Sequence, residues 1–484
     1  ACTTLGPDYA RPDVAWLDDW NPDLYGQRGD DADLGESDLR FWWQLFDDPV
    51  LNQLIDSARQ ENPTLRLAGL RILESRALLG IAGSSLYPQV QQLSGSVAYV
   101  DTRDSGGAGG SSDTSFGSYQ LGFGLGWELD FWGRFRRGIE SADSAFFASL
   151  ANQQDAQVLL SAQVADLYFG YLTLQRRIAT AEENAAIQRR SYEITERIYR
   201  EGQQAELNLQ QALTQYLSTL ATIPALKLNL IKTRNALAVL LGRPPGLLPE
   251  LAGAGSEALP DVGKIFFNAL PANLLQRRHD VRAAQWQIAA QSAQIGLAEA
   301  EFYPSISLNG SLEWSGNTLG ASPDVSTLAV GPAFRWNIFD YGRIANNVRV
   351  QDARLQQLIE QYRNVLLQAA REIDDAAITL VRTQEQQDLL VDAVASAKRA
   401  LTLANVRFQE GYSDFQRVLD AQRVYFSQTD REQANRGALI ASVIALYKAL
   451  GGGWLETDID GVLPADVRDA MRERSDWGEL LEQP

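Results

Sequence analysis

The sequence predicts an α+β membrane protein in which several chains contribute strands to one transmembrane β-barrel, and long helices continue that barrel as a tube. Three observations carry the prediction: an internal repeat, strands that alternate with a period of two, and helices longer than a globular core can use.

The repeat is legible from its landmarks. Leu86-Tyr87-Pro88-Gln89-Val90 returns as Phe302-Tyr303-Pro304-Ser305-Ile306, and Leu65-Arg66 as Val281-Arg282, both 216 positions on. Trp127 to Arg134 resembles Trp336 to Arg343, Tyr199 to Gly202 matches Phe408 to Gly411, and Leu240-Leu241-Gly242 matches Ala449-Leu450-Gly451; the glycines of each pair lie 209 apart. The seven-residue change in offset falls between Pro88 and Gly133, where the first copy carries the Gly/Ser-rich Ser105 to Ser118 stretch. One copy therefore has the longer hairpin tip. The chain divides into an N-terminal extended segment (1–48), a first repeat with its linker (49–269), a second repeat (270–454) and an acidic C-terminal tail (455–484).

Each copy reads as a helix, a strand pair and two further helices. Tyr119, Leu121, Phe123, Leu125, Trp127 and Leu129 alternate with small or polar neighbours, as do Ile306 to Trp314 and Leu328 to Ile338. The stretch from Val90 to Val100 alternates less cleanly. Such strands, about 10 residues or longer with one apolar face, have the length and dyad pattern of a transmembrane barrel. Alternation alone equally describes a sheet packed on a soluble core.

The helices decide between them. From about Gly138 to Glu201 and from Ile344 to Glu410 there is no Pro, and Gly occurs only at Gly170. At 1.5 Å per residue each helix approaches ~100 Å. Val158, Ala162, Ala165, Phe169 and Leu172 form one stripe, and Leu167, Tyr171, Leu174, Ile178 and Ala181 another. Seams on two sides make each helix a stave between neighbours. A coiled-coil rod would explain the helices but not the strands. Four strands are too few to close a barrel, for which about eight is the minimum, and open edges cannot face lipid.

Composition removes other classes. Lys and Arg number 43 against 61 Asp and Glu, a net charge of −18, and no basic stretch suits a nucleic acid. One His, one Cys and one Met leave too few ligands for zinc, haem or iron–sulfur sites. No run of about 18 apolar residues offers a transmembrane helix. The absence of an initial Met is read as a mature chain. No Gly-rich phosphate loop or nucleophile elbow occurs, so no enzyme is predicted.

Leu270-Pro271-Ala272-Asn273-Leu274-Leu275-Gln276-Arg277-Arg278, Phe302 to Leu308, Trp127-Glu128-Leu129-Asp130, Leu419-Asp420-Ala421-Gln422-Arg423 and Tyr447 to Trp454 together resemble the TolC-like outer membrane factor family, in particular its OprM-like lipoprotein branch. The resemblance spans about Pro7 to Trp454. It implies a homotrimer with a 12-stranded barrel in the outer membrane of a Gram-negative bacterium and a long α-helical barrel in the periplasm. Docked to a periplasmic adaptor and an inner-membrane transporter of the RND type, such a trimer is a passive exit duct for drugs or other small toxic compounds. Type I protein secretion and metal efflux remain the alternatives within the fold, and an envelope-spanning tether the alternative outside it. No cofactor is implied beyond a covalent lipid.

The resemblance also implies roles for residues. Cys2 matches the lipidated cysteine of a lipobox, with Thr3 after it as in outer-membrane sorting. Glu201, Gly202, Gln203, Glu410, Gly411 and Tyr412 fall at the helix-reversing tips expected to meet the adaptor. Phe408, Gln416, Asp420 and Arg423 lie where the family constricts its tube, with Asp420 and Arg423 spaced i, i+3 to pair. Gln416 departs from the apolar residue usual there and is expected to weaken the seal. His279 stands where the family has Pro; it is expected to be a capping or surface residue and is assigned no function.

Overall fold

The structure is a computed structural model and describes residues 3–17, 20, 25, 39–102, 114–252, 259–260, 273–317, 324–455 and 463–481. Cys2 lies outside them. Helix α1 (Pro49–Glu61) starts at Asp48, whose carboxylate accepts from Val50 N and Leu51 N with Pro49 at the first helical position, and it buries Leu51, Leu54, Ile55 and Ala58 at helical spacing. Then come α2 (Pro63–Ser84), β1 (Val90–Thr102), β2 (Thr114–Leu129), α3 (Arg134–Arg200) and α4 (Glu206–Leu240). The second copy repeats the order. A short α5 (Asn273–Arg277) leads into α6 (His279–Glu299), β3 (Ser305–Gly316), β4 (Val325–Arg335), α7 (Arg343–Gln409) and α8 (Phe415–Ala449), and α9 (Ala465–Arg474) lies in the tail.

The strands form one antiparallel sheet in the order β1-β2-β3-β4. Its register sorts side chains by face. Leu93, Phe123, Leu312 and Leu328 share one row across all four strands, and the adjacent row is Ser94, Gly122, Glu313 and Thr327. This explains why β1 forms despite its mixed alternation: each residue is held by its partner on β2. Leu93, Tyr99, Leu328 and Phe334 are 69%, 74%, 73% and 78% exposed on the single chain, an apolar face that water does not stabilise. The last strand stops at Arg335, short of Ile338. There the indole of Trp336 donates to Phe302 O at 2.9 Å, and Asp340 takes the Gly342 and Ile344 amides to start α7.

Two compact units are defined, residues 1–13, 71–150 and 283–363, and residues 14–70, 151–282 and 364–484. In the first, buried Arg137 fastens the N-terminal segment by donating to Leu5 O (2.9 Å) and Gly6 O (3.0 Å) and pairing with Asp8 (2.7 Å). Gly6 and Gly296 approach so closely that a side chain on either would strike backbone. In the second, Trp42 stacks on Tyr447 with ring centroids 5.7 Å apart, Phe46 meets Phe169 at 4.6 Å, and Tyr168 donates to Asp48 at 2.7 Å. Burying such aromatics stabilises the fold by about 1.5–3 kcal/mol each.

The repeat is preserved in detail. Both long helices have 67 residues and both returning helices 35. Trp127 donates to Leu86 O at 3.1 Å as Trp336 does to Phe302 O. Asn62 donates to Leu240 O at 2.9 Å, and Arg278, 216 residues on, donates to Ala449 O at 2.8 Å. Gly242 and Gly451, with φ of 68° and 74°, end the returning helices in the left-handed region that glycine favours.

His279 is not the surface residue expected. It occupies the first position of α6, where α2 has Pro63, and is 2% exposed. Its ring meets Trp454 edge-on at 4.5 Å, and neither ring nitrogen has a hydrogen-bond partner. Burial, assisted by Arg282, lowers its pKa to about 4, so it is a neutral, space-filling ring at pH 7.

Candidate functional site

At each tip the long helix ends on a glycine in the left-handed region. Gln203 N donates back to Ile198 O and Gly202 N to Tyr199 O; Tyr412 N donates to Arg407 O and Gly411 N to Phe408 O. This is the double hydrogen bond by which a C-terminal glycine satisfies the last carbonyls of a helix. Glu201, Gly202, Gln203, Glu410, Gly411 and Tyr412 are all exposed. Tyr412 is 79% exposed, as is much of Leu207, so both tips carry apolar surface.

Behind the second tip, Phe408 packs on Phe415 with ring centroids 5.0 Å apart, in a cluster with Ala212, Val418 and Leu419. The structure therefore separates Phe408 from the polar residues grouped with it on sequence: it fills the core of the tip. The other three are brought together on α8. Asp420 accepts from Arg423 at 2.8 Å and from Gln416 at 3.3 Å. With side chains 51% and 61% exposed, the Asp420–Arg423 pair is worth about 0–1 kcal/mol by itself. Arg423 also reaches Gln215 of α4 at 3.4 Å. Gln416 and Arg423 line a cavity of about 580 Å³ with Gln211, Thr214 and Gln215 of α4.

The first and second hairpins are tied together at residues that sequence reasoning did not select. Arg177 of α3 grips Asp430 of α8 through two hydrogen bonds of 2.8 and 3.0 Å, and Gln422 donates to Ser191 of α3 at 2.8 Å. A signal existed: Arg177 and Asp430 are charged where their repeat counterparts, Gln386 and Ala221, are not. With Gln215 and Arg423 these contacts form a line of polar links along α8 toward the tip. Links of this kind exchange readily with water; they set the register of the two hairpins beside an apolar contact nearer the tip, where Ala212 of α4 packs with Phe415, Val418 and Leu419 of α8.

A chain with four strands, an apolar exposed sheet face and two such hairpins is one subunit of a channel that several chains complete. The model of the family described as "Outer membrane efflux protein" matches residues 54–243 and 270–452. The chain is 30% identical to the toluene efflux pump outer membrane protein TtgC of Pseudomonas putida, covering 94% of this chain and 93% of that protein. It is 29% identical to the cation efflux system protein CusC of Escherichia coli, over 93% and 96%. The solved structure of the outer-membrane channel OprN superposes with a TM-score of 0.82 at 31% identity, covering 93% of this chain and 99% of that one. The chain belongs to the outer membrane efflux protein family. It is an efflux duct of the outer membrane, and three chains of four strands make its twelve-stranded barrel.

Proposed function

We propose that this duct exports drugs or other small toxic compounds as the outer part of a tripartite pump, with its hairpin tips docked on a periplasmic adaptor and an RND-type transporter behind it. The observation that carries the reading is the pair of exposed tips, where Leu207 and Tyr412 stand 65% and 79% exposed at the ends of two equal hairpins. Similarity to a toluene efflux component over nearly the whole chain supports the substrate class. Gln416, Asp420 and Arg423 form the periplasmic gate, and Phe408 supports it from within the tip. Cys2 carries a lipid that adds retention to a barrel already held by its apolar face.

The test is transport in cells lacking their own duct. Leu207→Asp with Tyr412→Asp should abolish the resistance to solvents and hydrophobic drugs that the wild-type chain restores, while trimers and single-channel conductance persist. Unchanged resistance would remove the tips from docking, and a wild-type chain that restores tolerance only to copper or silver would overturn the substrate class. Cys2→Ala should leave the trimer intact and lower its recovery in the outer membrane.

A further inference from the structure

The joint where a returning helix ends is balanced in charge in the first copy and unbalanced in the second. In the first, Arg243 pairs with Glu61 at 3.1 Å and with Glu250 at 2.6 Å, and Arg66 donates twice to Gln60 O, at 3.2 and 3.0 Å. The residues 216 positions after Glu61 and Arg66 are Arg277 and Arg282. An acid has been replaced by a base. Together with Arg40, these two arginines line a cavity of about 370 Å³ that Leu39, Leu450 and Trp454 help to wall. Among the described residues, none of the three guanidiniums has a hydrogen bond or a carboxylate partner, and the Nε of Arg40 is buried in that condition. Asp280, between Arg277 and Arg282 in sequence, gives both carboxylate oxygens to Arg278 instead. Arg40 lies over the Trp454 ring, 5.0 Å from its centroid, and the buried His279 holds the same ring edge-on at 4.5 Å.

We propose that this cavity is a binding site for an organic phosphate, held by Arg40, Arg277 and Arg282. A guanidinium keeps its charge at any pH a protein meets and presents its N–H donors as a planar fork. Three of them beside one space repel one another until an anion enters. Stoichiometry selects the anion. In the first copy two carboxylates match one guanidinium, whereas here three guanidiniums converge with no acid among them, which suits a group that spreads about two charges over three oxygens on a single atom. A phosphate monoester is such a group, and arginine forks bind its oxygens in pairs. The cavity is larger than a bare phosphate fills and falls at the lower end of the range for whole small ligands. With Leu39, Leu450 and Trp454 as an apolar wall, it has room for the lipid or sugar body that carries the phosphate. In a chain of net charge −18, three unmatched cations also make this a local focus for anions. Leu450 follows the end of the 35-residue α8, about 50 Å along that helix from its tip, so the site is separate from Gln416, Asp420 and Arg423 and does not depend on their role.

The experiment titrates the purified full-length trimer in detergent, by calorimetry, with glucose 6-phosphate, dihexanoyl phosphatidic acid, inorganic phosphate and citrate. At least one of the two esters should bind at one site per chain, about tenfold or more tightly than inorganic phosphate or citrate, and the tighter ester tells a soluble source from a lipid one. Arg277→Glu, which copies Glu61, should weaken that ester about thirtyfold or more, and Arg40→Gln and Arg282→Gln about fivefold or more each. Arg66→Gln, at the first-copy counterpart of Arg282, should leave the affinity unchanged. Arg277 and Arg282 are exposed, so these variants should assemble as the parent does; should Arg277→Glu fail to form trimers, Arg277→Gln is read instead, against a fivefold loss. The site is overturned if neither ester binds, if citrate or inorganic phosphate binds as tightly, if the Arg277 variant keeps the parental affinity, or if Arg66→Gln loses as much as Arg282→Gln.

Discussion

The two copies place different chemistry at the same joint. Before α2, Asn62 donates to Leu240 O at 2.9 Å and also accepts from Leu65 N, a neutral amide that caps one helix and ties down the end of another. Before α6, Arg278 reaches Ala449 O, but its guanidinium also pairs with Asp280 and Glu372, both at 2.8 Å, with only 10% of its side chain exposed. Across from it, Asp155 of α3 has its carboxyl pushed up to about 6, by burial first and then by Asp280. The repeat counterpart of Asp155 is the uncharged Asn364. One architectural task is performed once by a self-sufficient amide and once by a charge cluster whose members depend on each other. The lesson is that duplicated folds keep the geometry of a joint while its energetics diverge.

The comparison is most sharply broken at its centre. Arg278→Ala should destabilise the protein by about 2–3 kcal/mol, because it removes charge-assisted hydrogen bonds to the partly exposed Asp280 and Glu372 and leaves the Ala449 carbonyl without its buried donor, whereas Asn62→Ala should cost about 1–2 kcal/mol for a lost cap. Thermal unfolding of the two variants side by side measures the difference, and equal losses would show that the joints are energetically alike.

The glycines that follow should differ next. A Cβ at Gly242 would strike Glu61 O, while one at Gly451 makes ordinary contacts with Arg278, its Cγ at 3.5 Å and its Cα at 3.7 Å. Both demand a left-handed residue, so Gly451→Ala should cost about 1–3 kcal/mol from backbone strain alone, and Gly242→Ala distinctly more. A smaller loss for Gly242→Ala would mean that α1 yields at its C-terminus.

Acidity separates the copies in a third way. A carboxyl whose folded pKa is raised contributes its stability below the unfolded value, near 4, and loses it as pH rises through about 6. Asp155→Asn, which copies Asn364, should therefore stabilise by about 2–3 kcal/mol above pH 6, with the gain shrinking toward pH 4. For His279 the sign is opposite: its folded pKa near 4 means stability is lost as pH falls from the ordinary histidine range, and His279→Pro, the residue of the first copy, should remove that loss. Unfolding midpoints measured from pH 4 to 8 test both.

The gate carries the smallest stability change and the clearest functional one. Asp420→Ala and Arg423→Ala should shift stability by less than about 1 kcal/mol yet raise single-channel conductance and admit large antibiotics. Gln211→Ala, at the position matching Asp420, should do neither. Reversal of that order would put the gate on the first hairpin.

What could be read from the chain was local or periodic. The repeat, the strands, the tip glycines and the long helices follow from alternation, from proline-free runs and from the conformational freedom of single residues, and the structure has equal hairpins where the landmarks placed them. The Asp420–Arg423 pair was legible because both residues lie on one helix turn. Tertiary structure alone decided that Phe408 packs inward, that Arg177 meets Asp430, that His279 is buried against Trp454, and that Arg40, Arg277 and Arg282 line one cavity. Each of these depends on which faces of separate helices are pressed together. A side chain's own sequence neighbourhood fixes the direction in which it leaves its helix, but not what stands opposite when helices tens or hundreds of residues apart in sequence come into contact.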